Sequence, residues 1–220
     1  DDAIDAYRKA LRVDPDFSDG RTSLAGLYES MGRDAEAVAA LRGAIELGGG
    51  EDVALHLRLA LALVRLARHE EAAEAFRDAL RLRPEDAAAL AGLGASLNAI
   101  GEHAEAADAL EKAIRLDLSL GRGGRGSAAA FAGCALAYEK LGRVADAVTA
   151  LQRAAELEPE GPEAAETHLS IGRQCEQLGR LDEAIAAYRK VVSLRPDHAD
   201  AQLRLGRALA SRGLLTEAIE

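Results

Sequence analysis

Tryptophan is absent from this chain, and aromatic residues make up only 3 % of its 220 positions. No segment alternates apolar and polar residues as a half-buried strand must. What remains is rich in alanine, leucine and glycine, and only an all-α fold accommodates it. No apolar stretch is long enough to cross a bilayer, and no secretory leader is visible. Catalytic signatures are missing as well: there is no G-x-S-x-G, no phosphate-binding G-K-[ST] loop, no H-E-x-x-H and no C-x-x-C. No catalytic, cofactor-binding or metal-binding residue is therefore expected, and the chain reads as a non-enzyme without a cofactor.

A basic surplus is also lacking. The net charge is −10 and the isoelectric point near 5.1. That argues against nucleic acid or an anionic membrane surface as the main partner. The acids are spread over helix faces and read as a solvated exterior. Of the 27 basic residues, 23 are arginine, a bias that points to GC-rich codon usage and a bacterial source. Cysteine is nearly absent too. Cys134 and Cys175 fall at different positions and read as buried small hydrophobes rather than a disulfide.

What the chain does have is an acidic residue followed by alanine, again and again. Asp2-Ala3, Glu36-Ala37, Glu71-Ala72, Glu105-Ala106, Asp146-Ala147, Glu183-Ala184 and Glu217-Ala218 are separated by 34, 35, 34, 41, 37 and 34 residues. A period near 34 marks stacked helical hairpins, each burying its apolar face against its neighbours. Other positions keep the same register. A small residue recurs in the first helix of each hairpin: Ala25, Ala60, Gly94, Ala135, Gly172 and Gly206. A turn residue follows at Gly32, Ala67, Gly101, Gly142, Gly179 and Gly213. The second helix carries a large residue at Tyr7, Leu41, Phe76, Leu110, Leu151 and Tyr188. Three residues later stands Ala10, Ala44, Ala79, Ala113, Ala154 or Val191. Small residues let crossing helices approach closely, and large ones fill the gaps beside them. Pro15, Pro84, Pro159 and Pro196 stop second helices.

This register resembles the tetratricopeptide repeat (TPR) family over essentially the whole chain. The resemblance implies an α-solenoid, a right-handed superhelix of antiparallel helix hairpins. Its parts are a half repeat at 1–17, full repeats at 18–52, 53–86, 87–120, 128–161 and 165–198, and a partial repeat at 199–220. Gly49 and Leu118 stand where the family has its closing proline, so those two turns are expected to depart from the pattern. The family's tryptophan position holds Arg21, His56, Leu90, Phe131, His168 and Gln202. These histidines, with His69, His103 and His198, dissolve into the repeat and are not metal ligands.

Two irregularities break the period. Residues 119–127 form a Gly/Arg-rich insertion, and Pro162, Glu163 and Ala164 add three more. Gly121, Gly123 and Gly126 formally complete G-x-G-x-x-G, but a helix precedes them, so a dinucleotide site is rejected. The insertion reads as a flexible linker, with Ser127 capping the next helix and a hinge role as a further hypothesis.

The resemblance also places a ligand groove on the concave face lined by first helices. Carried over position by position, the second repeat offers Leu57, Arg58, Leu61, Val64 and Arg65. The third offers Ala88, Ala91, Gly92, Ala95, Asn98 and Ala99. The fourth offers Ala129, Ala132, Gly133, Leu136, Glu139 and Lys140. The fifth offers Glu166, Leu169, Ser170, Arg173, Glu176 and Gln177, and the last Asp200, Leu203, Arg204 and Arg207. The middle is small and apolar, suited to an amphipathic helix or extended peptide, unless Leu57 and Leu61 pack on a neighbouring helix. Arg173, Arg204 and Arg207 form a candidate carboxylate site, unless Glu166, Glu176 and Asp200 neutralise them. The chaperone-tail clamp of some family members is absent.

The leading function is a non-enzymatic scaffold or adaptor that binds a protein or peptide of unknown identity, without nucleic acid and without membrane insertion. The alternatives are a TPR arm of a larger enzyme, such as a glycosyltransferase or protease, and a component of bacterial envelope, secretion or polarity machinery. A cytoplasmic setting is preferred to a periplasmic one. The chain begins inside a repeat and stops just past the start of another second helix, so it reads as an excerpt. Leu205, Leu209, Leu214 and Leu215 are expected to be partly uncovered without a polar capping helix. End-to-end self-association follows as an expected outcome, and sedimentation velocity across a dilution series checks it.

Overall fold

The computed structural model describes residues 2–119 and 125–213. Among them are twelve α-helices, a short 3-10 turn at Gly49–Glu51, and no strand. The helices are α1 (Asp2–Val13), α2 (Ser18–Ser30), α3 (Asp34–Glu46), α4 (Val53–Arg65), α5 (His69–Leu82), α6 (Ala87–Ile100), α7 (His103–Ser119), α8 (Arg125–Lys140), α9 (Val144–Leu157), α10 (Ala164–Gln177), α11 (Leu181–Leu194) and α12 (Ala199–Ser211). They fall into two compact units, residues 1–112 and 113–220, with the boundary inside α7. In the first unit each helix from α1 to α6 packs on its chain neighbour, and α4 also touches α6. In the second, α8 packs on α9, α9 on α10, α10 on α11, and α11 on α12. The fold class is that of an all-α solenoid, as the repeat predicts.

The small-against-large rule is met at the helix crossings. Ala25 and Ala60 are fully buried. A Cβ added to Gly94 would stand 2.5 Å from Cγ of Leu110, and one added to Gly172 would stand 2.3 Å from Cε1 of Tyr188. Such distances are well inside van der Waals contact, so only hydrogen fits there. Phe76 does the same between hairpins: a Cβ on Gly92 would lie 2.3 Å from its ring. Gly92 therefore serves the inter-repeat packing. The bare glycine is what lets the Phe76 ring lie against α6.

All six predicted turn residues adopt the left-handed conformation, with φ from +55° at Ala67 to +88° at Gly101. At five of these ends the next N–H bonds back to a carbonyl five residues earlier, as in Arg33 to Tyr28 and Arg180 to Cys175, both 2.8 Å. This closes orphan carbonyls of the last helical turn. Ala67 is the one non-glycine with positive φ among the described residues.

Second helices that meet a proline stop two residues before it: α1 before Pro15, α5 before Pro84, α9 before Pro159 and α11 before Pro196. Without that block α7 runs on through Leu118 to a length of 17 residues. After α3 the chain turns at Gly48 (φ +110°) into the 3-10 segment. The positions that hold tryptophan elsewhere in such repeats use polar reach instead. Arg21 Nη2 donates to the Pro15 carbonyl (3.0 Å), His56 Nε2 contacts the Gly50 carbonyl (2.9 Å) and Gln202 Nε2 donates to the Pro196 carbonyl (2.5 Å). Each side chain thus ties its helix to the turn six residues earlier.

The recurring acid-alanine pair has two jobs. The alanine is buried in the hairpin: Ala37, Ala72, Ala106, Ala147 and Ala184 are all fully buried. The acid collects cations. Arg33, Arg68, Arg143 and Arg180 each bond the acid three residues on, at Glu36, Glu71, Asp146 and Glu183. The preceding second helix adds Arg42 to Glu71, Arg77 to Glu105, and Gln152 to Glu183. Arg33 and Arg143 also lie over the rings of Tyr28 and Tyr138, 4.9 and 4.3 Å from the centroids.

Three expectations change, the first at Leu169, which is 2 % exposed and belongs to the core rather than to a groove. Ser127 is not an N-cap, because α8 already begins at Arg125. Ser127 is buried, and its hydroxyl donates to the Asp117 carboxylate at the end of α7. A buried hydroxyl requires such a partner. Leu209 is not uncovered; it is 3 % exposed and packs with Ile185 and Ala208, with Leu205 partly buried beside them. Two consecutive helices are enough to enclose it. The hinge reading of the insertion falls largely on residues 120–124, and that of Leu214 and Leu215 on 214–220, all outside the described residues. Cys134 and Cys175 are buried free thiols, and burial pushes the Cys175 thiol above its ordinary value.

Two outcomes follow from this packing. Ala67→Gly relieves left-handed strain and raises stability by about 1 kcal/mol, readable as a higher urea midpoint. The Glu71 carboxyl sits below its usual 4.5 because Arg68, then Arg42, hydrogen-bond it. The folded state thus binds this proton less readily than the unfolded chain. Its stabilisation is full above that usual value and is lost as pH falls through the lowered folded one. Glu71→Gln therefore gives a shallower loss of stability between about pH 5 and about pH 3, checked by urea midpoints across that range.

Candidate functional site

In the first unit the candidate face is built on α2, α4 and α6. Along α4, Leu55, Leu59 and Leu63 are buried, whereas Leu61 is 51 % exposed. Leu57 and Val64 are half-buried, so Leu57, Leu61 and Val64 form one partly open stripe at spacings of four and three. The arginines beside them are already engaged. Arg58 Nε and Nη2 reach the Glu29 carboxylate at 3.1 and 2.8 Å, and Nη2 also approaches the Thr22 carbonyl at 3.4 Å. Arg65 Nε donates to Asp34 at 2.7 Å. Ala95 is exposed on α6, and half-buried Asn98 lies 3.2 Å from Nδ1 of His103. The charges are thus spent on holding hairpins together, and the leucines are left open.

In the second unit the candidate residues divide. Leu136 is 44 % exposed. Glu139, Lys140 and Gln177 are exposed as well. Glu139 accepts a hydrogen bond from Gln174 Nε2 at 2.7 Å. The candidate carboxylate site is largely neutralised from within. Asp200 takes Arg173 at 3.0 Å and Arg204 Nε at 3.0 Å, and Glu176 takes Arg204 Nη1 at 3.1 Å. Arg173 and then Arg204 hold the Asp200 carboxyl below its ordinary value. The Tyr188 hydroxyl donates to Glu176 at 2.6 Å. Burial, then this bond, pushes its phenol upward. Glu166 turns away to Arg195. Arg207 is exposed and makes no ion pair among the described residues.

Two cavities occur in this unit, the first lined in part by Ala129 and Ala132 of the expected groove. One, of about 310 Å³, opens between α8 and α10 and is lined by Ala128, Ala129, Ala132, Ala154 and Thr167, with Glu158 and Glu163 also in its lining. Pro162, Glu163 and Ala164 form one wall, so the three-residue excess was a second signal that could have found it. The other, of about 580 Å³, lies between α9 and α11 over His168 and Ile171. Burial, then Lys190, lowers the His168 pKa, which favours the neutral ring. No cluster of metal-ligating side chains and no helix able to cross a membrane occurs among the described residues.

The family model for the tetratricopeptide repeat matches residues 1–52, 57–118, 135–197 and 176–220. No curated protein matches the chain. Among solved structures, MamA from Desulfovibrio magneticus RS-1 is 22 % identical with a TM-score of 0.71, covering 82 % of this chain and 96 % of that one. YrrB, described as a TPR protein with an unusual peptide-binding site, is 20 % identical with a TM-score of 0.72, covering 90 % and 96 %. PilF of Pseudomonas aeruginosa is 19 % identical with a TM-score of 0.67, covering 91 % and 88 %. At such identity the likeness is one of fold. The hairpin register, the left-handed turn residues and the family match over most of the sequence agree: the chain belongs to the tetratricopeptide repeat family.

Proposed function

We propose that this chain is a non-enzymatic scaffold that binds a partner protein or peptide on the face of its first helices. The observation that carries the reading is the open stripe on α4, with Leu61 at 51 % exposure between arginines already committed to Glu29 and Asp34. An exposed leucine beside fixed, neutralised charges is an apolar anchor point within a polar frame, the arrangement seen at the centres of protein interfaces. The fold likeness to YrrB, with its peptide-binding site, supports the same reading. Peptides selected on the full chain from a displayed library supply the ligands for a test. Leu57→Asp combined with Leu61→Asp is expected to weaken them at least tenfold, about 1.4 kcal/mol, while helicity and cooperative thermal unfolding persist. Unchanged affinity would move the site elsewhere, and loss of the fold would assign both leucines to the core.

A further inference from the structure

We propose that the cleft between α8 and α10 recognises a basic side chain on an extended peptide, with Glu139 as the receiving carboxylate. The proposal rests on the scaffold reading and deepens it. Three first helices carry a glutamate four residues after the small crossing residue: Glu29 after Ala25, Glu139 after Ala135 and Glu176 after Gly172. For Glu29 and Glu176 the next first helix supplies an arginine two residues before its own small residue. Arg58 reaches Glu29 at 2.8 Å, and Arg204 reaches Glu176 at 3.1 Å. At the same place opposite Glu139 stands Ser170. The chain's own guanidinium is missing from this one junction of the three.

Other groups do not make up for it. Glu139 has no ion pair among the described residues. Arg173 is held on Asp200. Lys140, the next residue along α8, points about 100° away around the helix. Glu139 instead receives the neutral amide of Gln174, which is 5 % exposed and whose Oε1 is buried without a partner. A carboxylate bonds a cation more strongly than a neutral amide. A guanidinium seated on Glu139 also brings further N–H donors to the Gln174 oxygen once the terminal amide turns, a soft torsion.

The rest of the cleft sets what precedes the basic group. Ala132, Leu136 and Glu139 follow one another on a single face of α8, as Thr167, Ser170 and Gln174 do on α10. The alanine-lined cavity, with Glu158 and Glu163 in its lining, takes in Ala128, Ala129 and Ala132 of α8, and Glu139 stands about two turns further along the same helix, bridged to α10 by Gln174. Seven helical residues separate Ala132 from Glu139, roughly 10 Å. An extended chain covers that in about three residues. The occupant is a peptide with a small apolar side chain about three residues from an arginine or lysine, complementary to a chain of net charge −10.

The probe is the labelled peptide acetyl-Gly-Val-Gly-Gly-Arg-Gly-amide, compared by fluorescence anisotropy and amide NMR with a twin carrying neutral citrulline for arginine. The arginine peptide is expected to bind the full chain at least tenfold more tightly and to shift the Gln174 side-chain amide resonances. Glu139→Gln removes the preference. Ser170→Arg supplies the missing internal guanidinium, abolishes binding of the arginine peptide and raises the melting temperature. Binding of neither peptide, or a preference that survives either substitution, overturns the proposal. Equal binding of both peptides overturns it too, yet leaves the scaffold reading standing. Failure of the α4 leucine test with the arginine preference intact separates the two in the other direction.

Discussion

Tyr188 pressed against Gly172, and Leu110 against Gly94, show the contact on which the hairpins depend. A large side chain on the second helix can be buried only if the first helix presents almost nothing at the crossing point. Aromatic residues being scarce, most of the filling is done by alanine and leucine, and the backbones must come close to leave no void. That demand fixes glycine or alanine at one place in each hairpin. It also makes the turn between the helices short, which in turn calls for the left-handed residue that five glycines and Ala67 supply. Crossing residue and turn residue are two consequences of one requirement.

Charge has a different role. Most arginines in both units are used inside the fold, on glutamates and aspartates of the same repeat or an adjacent one. Exposed pairs of this kind add little stability singly, but they consume the cations that would otherwise face a ligand. Arg173 and Arg204 are examples, both drawn onto Asp200. Among the described residues, the first helices are left with apolar openings at Leu61 in the first unit and at Leu136 and Leu203 in the second, and Glu139 of the second is a carboxylate that the arginine pattern has not matched.

Much of this was legible in the sequence, for physical reasons that act locally. Left-handed turns need glycine, proline stops helices, and crossings need small residues, so register could be read from residue type alone. Even the acid of four acid-alanine pairs, at Glu36, Glu71, Asp146 and Glu183, has a local cause, since its arginine stands three residues earlier. What could not be read depends on three-dimensional neighbours. Gly92 lies under Phe76, sixteen positions earlier, and nothing in either residue announces it. Ser127 looks like a cap until α8 is seen to start before it and Asp117 is found beside it. Leu209 looks uncovered if helices are counted, yet Ile185 and Ala208 enclose it. The choice between a carboxylate clamp and internal neutralisation turned on side-chain distances, which spacing does not encode. The cavity between α8 and α10 was signalled by the groove positions Ala129 and Ala132 and by three surplus residues, but its depth depends on Ala154 of α9.

The tie between successive second helices has a consequence for how such a chain can change. Arg42 with Glu71, Arg77 with Glu105 and Gln152 with Glu183 all join an element to the one just before it. These three junctions are therefore written in the same grammar. Duplicating or deleting one complete unit keeps these donors facing acceptors of the right kind, whereas an indel within a helix would put them out of phase; the three-residue excess at 162–164 lies before α10 and leaves Gln152 on Glu183. Length in this architecture is a dial with detents, and each click is a whole hairpin.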